Sequence, residues 1–325
     1  MGIYTWGCVY LAVSMKKAVD FLEFALVWCV ARGLGLLPRG VARGMGAGLG
    51  WVVYLALGRL RHVGQMNLER ALPELAEEER DRILRGVYRG LGWQMAEFCR
   101  MERYTRENLD GWIRYEGLER FLAVEAEGKG VLVLTGHIGA WELSSFYHSL
   151  MGHKMGMVIR RLDNRWLDAF VNRIRCLHGN QVLHKDDFAR GLITAMRAGE
   201  TVGILMDTNM TPPAGEFVPY FGRLACTATG LARVALRTGA AVVPGFLVWE
   251  RGERGGRGGY VLHFGERVAL PEDGDSEERV MELTRRCTTV IESWVRRYPE
   301  QWLWIHRRWK TRPDGTREEG RGNKE

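Results

Sequence analysis

Val131-Leu-Val-Leu-Thr-Gly-His-Ile-Gly-Ala-Trp-Glu-Leu-Ser-Ser145 is the stretch from which the fold is read. Val131–Leu134 is a short continuous apolar run, the pattern of a strand buried on both faces. Thr135-Gly136 ends it and His137 follows directly. Gly139 permits a tight turn, and 140–150 carries a helical pattern. A buried strand running through a turn into a helix is the unit of an α/β sheet. His137 and Glu142 are separated by four residues. On one continuous helix that spacing pairs side chains poorly, because neighbours sit three or four apart. With His137 on the loop and Glu142 in the first helical turn the two converge. The carboxylate then holds one imidazole nitrogen and the other is left to take a proton, which is base-and-orienter chemistry. The plainer alternative is a loop histidine and a glutamate favoured by the helix dipole.

Outward from this unit, apolar strand-like runs alternate with helical patterns. The strand candidates are Met155–Ile159, Val202–Met206, Ala241–Val248 and Tyr260–Phe264, with Leu109–Tyr115 as a short one upstream. The helical candidates are Asn164–His178, Phe188–Ala198, Thr227–Arg237 and Glu277–Tyr298. This order predicts an α/β fold, a mixed central sheet flanked by helices. Ligands of such sheets bind at the carboxyl ends of strands. His137 stands at one such end and Asp207 at another. Phe217–Arg223 reads as an ordered loop, and Gly255–Gly259 as a hairpin tip.

The amino-terminal part differs. Residues 18–37 form an apolar helical pattern carrying Asp20, Glu23 and Arg32, long enough for a bilayer core of about 30 Å. Arg32 lies near one end, where it can snorkel. Residues 41–60 are a second apolar segment with Gly44, Gly46, Gly48 and Gly50, able to pack closely on the first helix or to lie in the interface. Residues 1–62 are therefore expected to be a hydrophobic helical membrane anchor. Residues 63–311 form the remaining domain, and 312–325 a disordered tail. Met15-Lys16-Lys17 has the look of a second start site.

The net charge is +7, which favours an anionic partner. Twelve tryptophans suit a membrane interface. Six cysteines without a Cys-x-x-Cys pair argue against a disulfide framework or a zinc site. Arg160 and Arg161 follow a strand, with Asp163 or Asn164 capping the next helix, and Arg173 and Arg175 add charge along that helix. Trp302–Lys310 is the densest basic-aromatic stretch, suited to a lipid head group or to single-stranded nucleic acid. His306 within it is structural or phosphate-binding. Without a Gly-x-Ser-x-Gly element, Ser144 and Ser145 do not suggest a serine hydrolase.

Read together, these motifs resemble the bacterial lipid A biosynthesis acyltransferases, the group that adds secondary lauroyl and myristoyl chains. The resemblance runs from Met15 to about Asp314. It rests on Asn67-Leu68 with Pro73-Glu74, on His137 with Glu142, and on Arg160 with Leu162-Asp163-Asn164. It continues through Met206-Asp207, Phe217-Val218-Pro219 with Phe221-Gly222-Arg223, and the closing segment from Pro299 to Lys310. It implies a glycerolipid-acyltransferase-like fold. It also implies transfer of a fatty acyl chain from an acyl carrier protein thioester to a hydroxyl of a lipid A precursor or related glycolipid, at the cytoplasmic side of the bacterial inner membrane. By carry-over His137 is the general base and Glu142 its orienter. Asp207 matches a functional acidic position, and Arg173 or Arg175 a functional arginine. Arg160, Arg307 and Arg308 are further candidates for gripping a phosphorylated acceptor. No metal or cofactor is implied, because a thioester is already activated. The oxyanion donors would be backbone N–H groups of 136–140 or a nearby arginine.

Thr208-Asn209 departs from the Gln or His followed by Asp that many members carry, and Ile138 stands where an aromatic is common. Related branches acylate phosphatidylinositol mannosides or lysolipids, so the acceptor stays open. The alternative from another class is a non-catalytic basic protein binding membrane or nucleic acid, although no recognised nucleic-acid motif is present.

Overall fold

The computed structural model describes residues 3–184, 188–252 and 258–315. The core of the expected hairpin tip, 255–257, and most of the tail lie outside these residues. Four helices come first: α1 (Ile3–Leu36), α2 (Arg39–Ala56), α3 (Gly58–Ala71) and α4 (Glu77–Arg100). After the short α5 (Arg106–Leu109), strands and helices alternate: β1 (Ile113–Glu116), α6 (Leu118–Glu125), β2 (Val131–Thr135), α7 (Trp141–Leu150), β3 (Gly156–Ile159), α8 (Arg165–Arg175), β4 (Gln181–His184), α9 (Phe188–Arg197) and β5 (Thr201–Leu205). Then follow β6 (Gly215–Tyr220), β7 (Arg223–Ala228), α10 (Gly230–Thr238), β8 (Ala241–Glu250), β9 (Gly259–Phe264) and α11 (Ser276–Arg297).

Seven strands form one sheet in the order β1-β9-β8-β2-β5-β3-β4. All neighbours run parallel except β8 and β9, so the sheet is mixed as expected. β2 lies near the middle and its first four residues are fully buried or nearly so, which is why it reads as an unbroken apolar run. Its register with β5 sets Thr135 opposite Leu205. His137 and Asp207 each lie two residues beyond that pair, so the register delivers both to one place.

β6 and β7 form a separate antiparallel hairpin where the sequence suggested a loop and the start of a helix. Its turn is Phe221-Gly222, both with positive φ, the backbone of a two-residue hairpin turn. Helix α10 accordingly starts at Gly230 and not at Thr227.

The glycine-rich α2 packs on α4 rather than on α1. A Cβ on Gly46 would stand 2.2 Å from the Gly92 carbonyl oxygen, and one on Gly92 2.0 Å from that of Gly46. Only hydrogen at both positions lets the two backbones approach this closely. Glu97 of α4 is fully buried and is held by Arg39 at 2.8 Å and Arg43 at 3.7 Å. The Arg43 guanidinium lies between Trp93 and Trp249 at 4.1 and 4.0 Å from their ring centres. On α1, Arg32 pairs with Glu102 at 2.6 Å.

Among the described residues no single helix is long and apolar enough to cross a membrane. α2 and α3 together are, by length and composition, but they are bent by 88° at Leu57. Both amino-terminal helices nevertheless expose apolar side chains, among them Leu22, Leu26 and Val30 of α1 and Met45, Leu49 and Val52 of α2.

Candidate active site

His137 and Asp207 form the centre of the site. Nδ1 of His137 lies 2.8 Å from Oδ1 of Asp207, and the His137 backbone N–H donates to Oδ2 at 2.7 Å. The Trp302 indole N–H donates to the same Oδ2 at 2.7 Å. Asp207 is buried, so these bonds satisfy a carboxylate that would otherwise be costly to remove from water. Burial pushes its pKa up, but the His137 charge and hydrogen bond, the Trp302 donor and the backbone N–H outweigh that and bring it to about 2. Burial of His137 disfavours its charged form; Asp207 overcomes this, Glu142 adds to it, and the pKa is raised. With Asp207 ionised, Nδ1 carries the imidazole proton and Nε2 offers its lone pair. The Trp141 ring packs edge-on against the imidazole, 5.0 Å away.

Glu142 makes a different contact from the one its spacing suggested. Its carboxylate is gripped by both arms of Arg175, with Nε at 2.9 Å from Oε2 and Nη2 on the other oxygen. The hydrogen bond that orients His137 comes from Asp207 instead. Spacing along the chain favoured Glu142; the alignment of β2 with β5 places Asp207 nearer the ring. Arg175 and not Arg173 therefore reaches Glu142. Burial lowers the Arg175 pKa, but Glu142 outweighs this and raises it. Arg173 pairs with Glu102, the residue that also holds Arg32, and so ties α8 to α1. Asn164 caps α8, accepting from Trp166 and Leu167, and also donates to the Asp20 carbonyl.

The segment 299–311 is largely a buried clamp. Trp302, Trp304 and Trp309 are buried, and Arg308 is fully buried. Arg308 donates to the Cys226 carbonyl at 2.7 Å and to the Thr227 hydroxyl, and lies 5.0 Å from the centre of the Tyr220 ring. It holds the β7 backbone and has no surface from which to grip an acceptor, contrary to the expectation. The segment also secures the histidine loop: Gly139 donates to the Gln301 carbonyl at 2.9 Å and Leu303 to the His137 carbonyl at 3.1 Å. Gly139 itself has φ +63° and packs its α-carbon against the Leu247 carbonyl, where a Cβ would lie 2.0 Å away. From the other side, Asn67 of α3 donates to the carbonyls of Trp304 and His306 at 2.6 and 2.7 Å. His306 accepts from the Asn209 N–H at 2.9 Å, and burial lowers its pKa to about 4, so it is neutral and structural.

The backbone N–H groups of His137, Ile138, Gly139 and Ala140 all donate within the protein. These four are therefore committed within the protein, which leaves the Gly136 N–H and an arginine among the expected oxyanion donors. Among the described residues no group of three or more His, Cys, Asp or Glu could hold a metal ion.

Two cavities are lined by residues that touch or adjoin the dyad. One, about 180 Å³, is lined by Trp93, Gln94, Gly139, Trp141, Trp249 and Trp302, and so reaches the two tryptophans that touch His137 and Asp207. The other, about 480 Å³ and mostly apolar, is lined by Val158, Ile204, Met206, Met210, Ala228 and Leu231 among others, with the exposed Arg160 at its rim. Arg160 itself pairs with Asp163 at 3.2 Å. Arg307 lines a surface groove with Arg59, Asn209 and Lys310.

The sequence model of the bacterial lipid A biosynthesis acyltransferases matches residues 13–311. The chain is 28% identical to the lipid A biosynthesis lauroyltransferase of Escherichia coli (strain K12), over 91% of this chain and 93% of that protein. It is 27% identical to the lipid A biosynthesis palmitoleoyltransferase of the same strain, over 89% and 93%. It is 25% identical to the lipid A biosynthesis myristoyltransferase, over 77% and 75%.

Proposed function

Because this chain belongs to the bacterial lipid A biosynthesis acyltransferase family, we propose that it transfers a fatty acyl chain from an acyl carrier protein thioester to a hydroxyl of a lipid A-type glycolipid, with His137 as general base. The observation that carries this reading is the His137–Asp207 pair, which leaves Nε2 as the basic nitrogen of a partly exposed imidazole. The acceptor O–H gives its proton to Nε2 as its oxygen attacks the thioester carbonyl. The tetrahedral adduct collapses, the C–S bond breaks, and the leaving thiolate takes the proton back from the imidazolium. A new C–O ester bond and a free carrier thiol result. Asp207 positions the ring and stabilises its charged form. Glu142 adds negative charge and holds Arg175, the arginine suited to steady the oxyanion.

The acyl chain is assigned to the apolar cavity beside Met206, which adjoins Asp207 and is large enough for a folded-in hydrocarbon tail. The exposed apolar faces of α1 and α2 support seating of the amino-terminal helices in the apolar layer of a membrane, which this reading takes to be the inner membrane met from its cytoplasmic side. The alternative of a nucleic-acid-binding protein drew on the Trp302–Lys310 segment, whose tryptophans are buried and have no faces to offer for stacking.

The test is mass spectrometry of lipids made by the purified protein in detergent from acyl carrier thioesters and candidate acceptors. The wild-type protein acylates a lipid hydroxyl, and His137→Ala loses about 10²–10⁴ in rate while staying folded and membrane-associated. Full transfer by that variant would remove His137 from the role. Acylation of a phosphatidylinositol mannoside or a lysolipid in preference to the glycolipid would reassign the acceptor within the same chemistry.

A further inference from the structure

We propose that a phosphate monoester on the acceptor lipid is bound by Arg89 and Arg251, in a cleft that opens beside Trp51 and runs into the tryptophan-lined cavity at the dyad. The proposal rests on the acyl-transfer reading and names the part of the acceptor that fixes its orientation. Arg82, Arg85 and Arg89 stand three and four residues apart on α4 and so share one face. With Ala47 and Trp51 of α2, Gly86, Arg251 and Glu300 they line a cleft of about 470 Å³. Gly86, Arg89, Arg251 and Glu300 also line the cavity of Trp93, Trp141 and Trp302, so the two spaces share a neck.

The four arginines are not equivalent. Arg82 is paired with Glu79 and Arg85 with Asp81. Among the described residues Arg89 and Arg251 have no ion pair; Arg89 lies over Trp93 at 5.2 Å from the ring centre. The neck thus presents two uncommitted guanidinium groups against one carboxylate, Glu300. A guanidinium fork matches phosphate oxygens with two parallel hydrogen bonds, and a phosphate monoester carries about −1.5 to −2 charge at neutral pH. The lip of the cleft distinguishes a lipid from a soluble anion. Trp51 is exposed there, and Leu49, Val52 and Leu55 of the same helix expose further apolar surface. A head group resting in the cleft would leave its tails on that surface and extend a hydroxyl along the tryptophans towards His137.

The experiment compares transfer to a phosphorylated glycolipid acceptor with transfer to the same lipid after phosphatase treatment. The variant is Arg89→Ala/Arg251→Ala. Its KM for the phosphorylated acceptor is expected to rise about tenfold to a hundredfold, with kcat and the KM for the acyl donor changing far less. With the dephosphorylated acceptor, variant and wild type should have the same KM. Arg89→Lys/Arg251→Lys should recover part of the loss, and Arg237→Ala on α10 serves as a remote control. Calorimetry with dihexanoyl phosphatidic acid and dihexanoyl phosphatidylcholine reads the site without turnover. The wild-type protein should prefer the phosphatidic acid at least about tenfold, and the double alanine variant should lose that preference. An unchanged KM for the phosphorylated acceptor, an equal rise for both acceptors, or a preference retained by the double variant would overturn the proposal. Binding that follows these two arginines in a protein with no acyl transfer would instead keep the site and overturn the catalytic reading.

Discussion

Asp207 and Glu142 both bring negative charge to His137, but they do so in ways that predict different behaviour. Asp207 bonds directly to Nδ1 and also takes the histidine's own backbone N–H. Glu142 acts across space and spends both oxygens on Arg175. Glu142→Gln should therefore lower kcat by loosening Arg175, while the acidic limb of the pH profile moves less than it does in Asp207→Asn. The Glu142–Arg175 pair is about four-fifths buried on both sides. Removing the carboxylate leaves a poorly solvated cation and should cost about 1–3 kcal/mol of stability. A double-mutant cycle with Arg175→Met, read by thermal unfolding in detergent, should show that the two losses are not additive.

Among the elements, α2 and α4 set how the amino-terminal helices meet the rest of the chain. Substituting Ala for Gly inside a helix ordinarily gains up to about 1 kcal/mol. At Gly46 the new methyl would meet the Gly92 carbonyl, whereas at Gly48, two residues on, it would meet nothing within 4 Å. Gly46→Ala should lower the unfolding temperature and Gly48→Ala should leave it unchanged or raise it. Equal effects at the two positions would refute the close packing of α2 on α4.

Most strands of the large sheet were legible from the sequence because each buried one is a short apolar run between turn residues; the edge strand β4, none of whose residues is buried, was not among the candidates. The order of the strands in the sheet was not legible, and the identity of the residue orienting His137 depends on that order. Asp207 was recognisable as a carboxylate at a strand end, but only the pairing of β2 with β5 carries it across 70 residues to His137. The β6–β7 hairpin was hidden for a related reason, since Phe221 takes the positive φ usually signalled by Asn or Gly. Within Trp302–Lys310 the tryptophans and Arg308 were misread as surface groups because a tryptophan–arginine composition is the same whether buried or interfacial. This irregular segment has no periodicity to separate the two.

For the molecule as a whole, two unlike spaces reach residues next to the dyad, one mostly apolar and the other lined by tryptophans and joined to arginines. A transferase must bring an acyl chain and a polar acceptor to one base from different directions, and this arrangement separates them. Filling the apolar side tests that division. Ala228→Leu should shift donor preference towards shorter acyl chains, measured as the ratio of kcat/KM values across thioesters of different length, while acceptor KM stays close to that of the wild type. An unchanged chain-length preference would place the acyl chain elsewhere.

The pH dependence of kcat/KM, compared between the wild-type protein and Asp207→Asn, bears most directly on the base. Catalysis needs neutral His137, whose pKa Asp207 raises, so wild-type activity should fall as pH drops through a value above the ordinary histidine pKa of about 6.5. Removing the Asp207 charge should move that acidic limb to lower pH and reduce the plateau rate. An acidic limb that stays in place in Asp207→Asn, or that survives in His137→Ala, would contradict a histidine base oriented by Asp207.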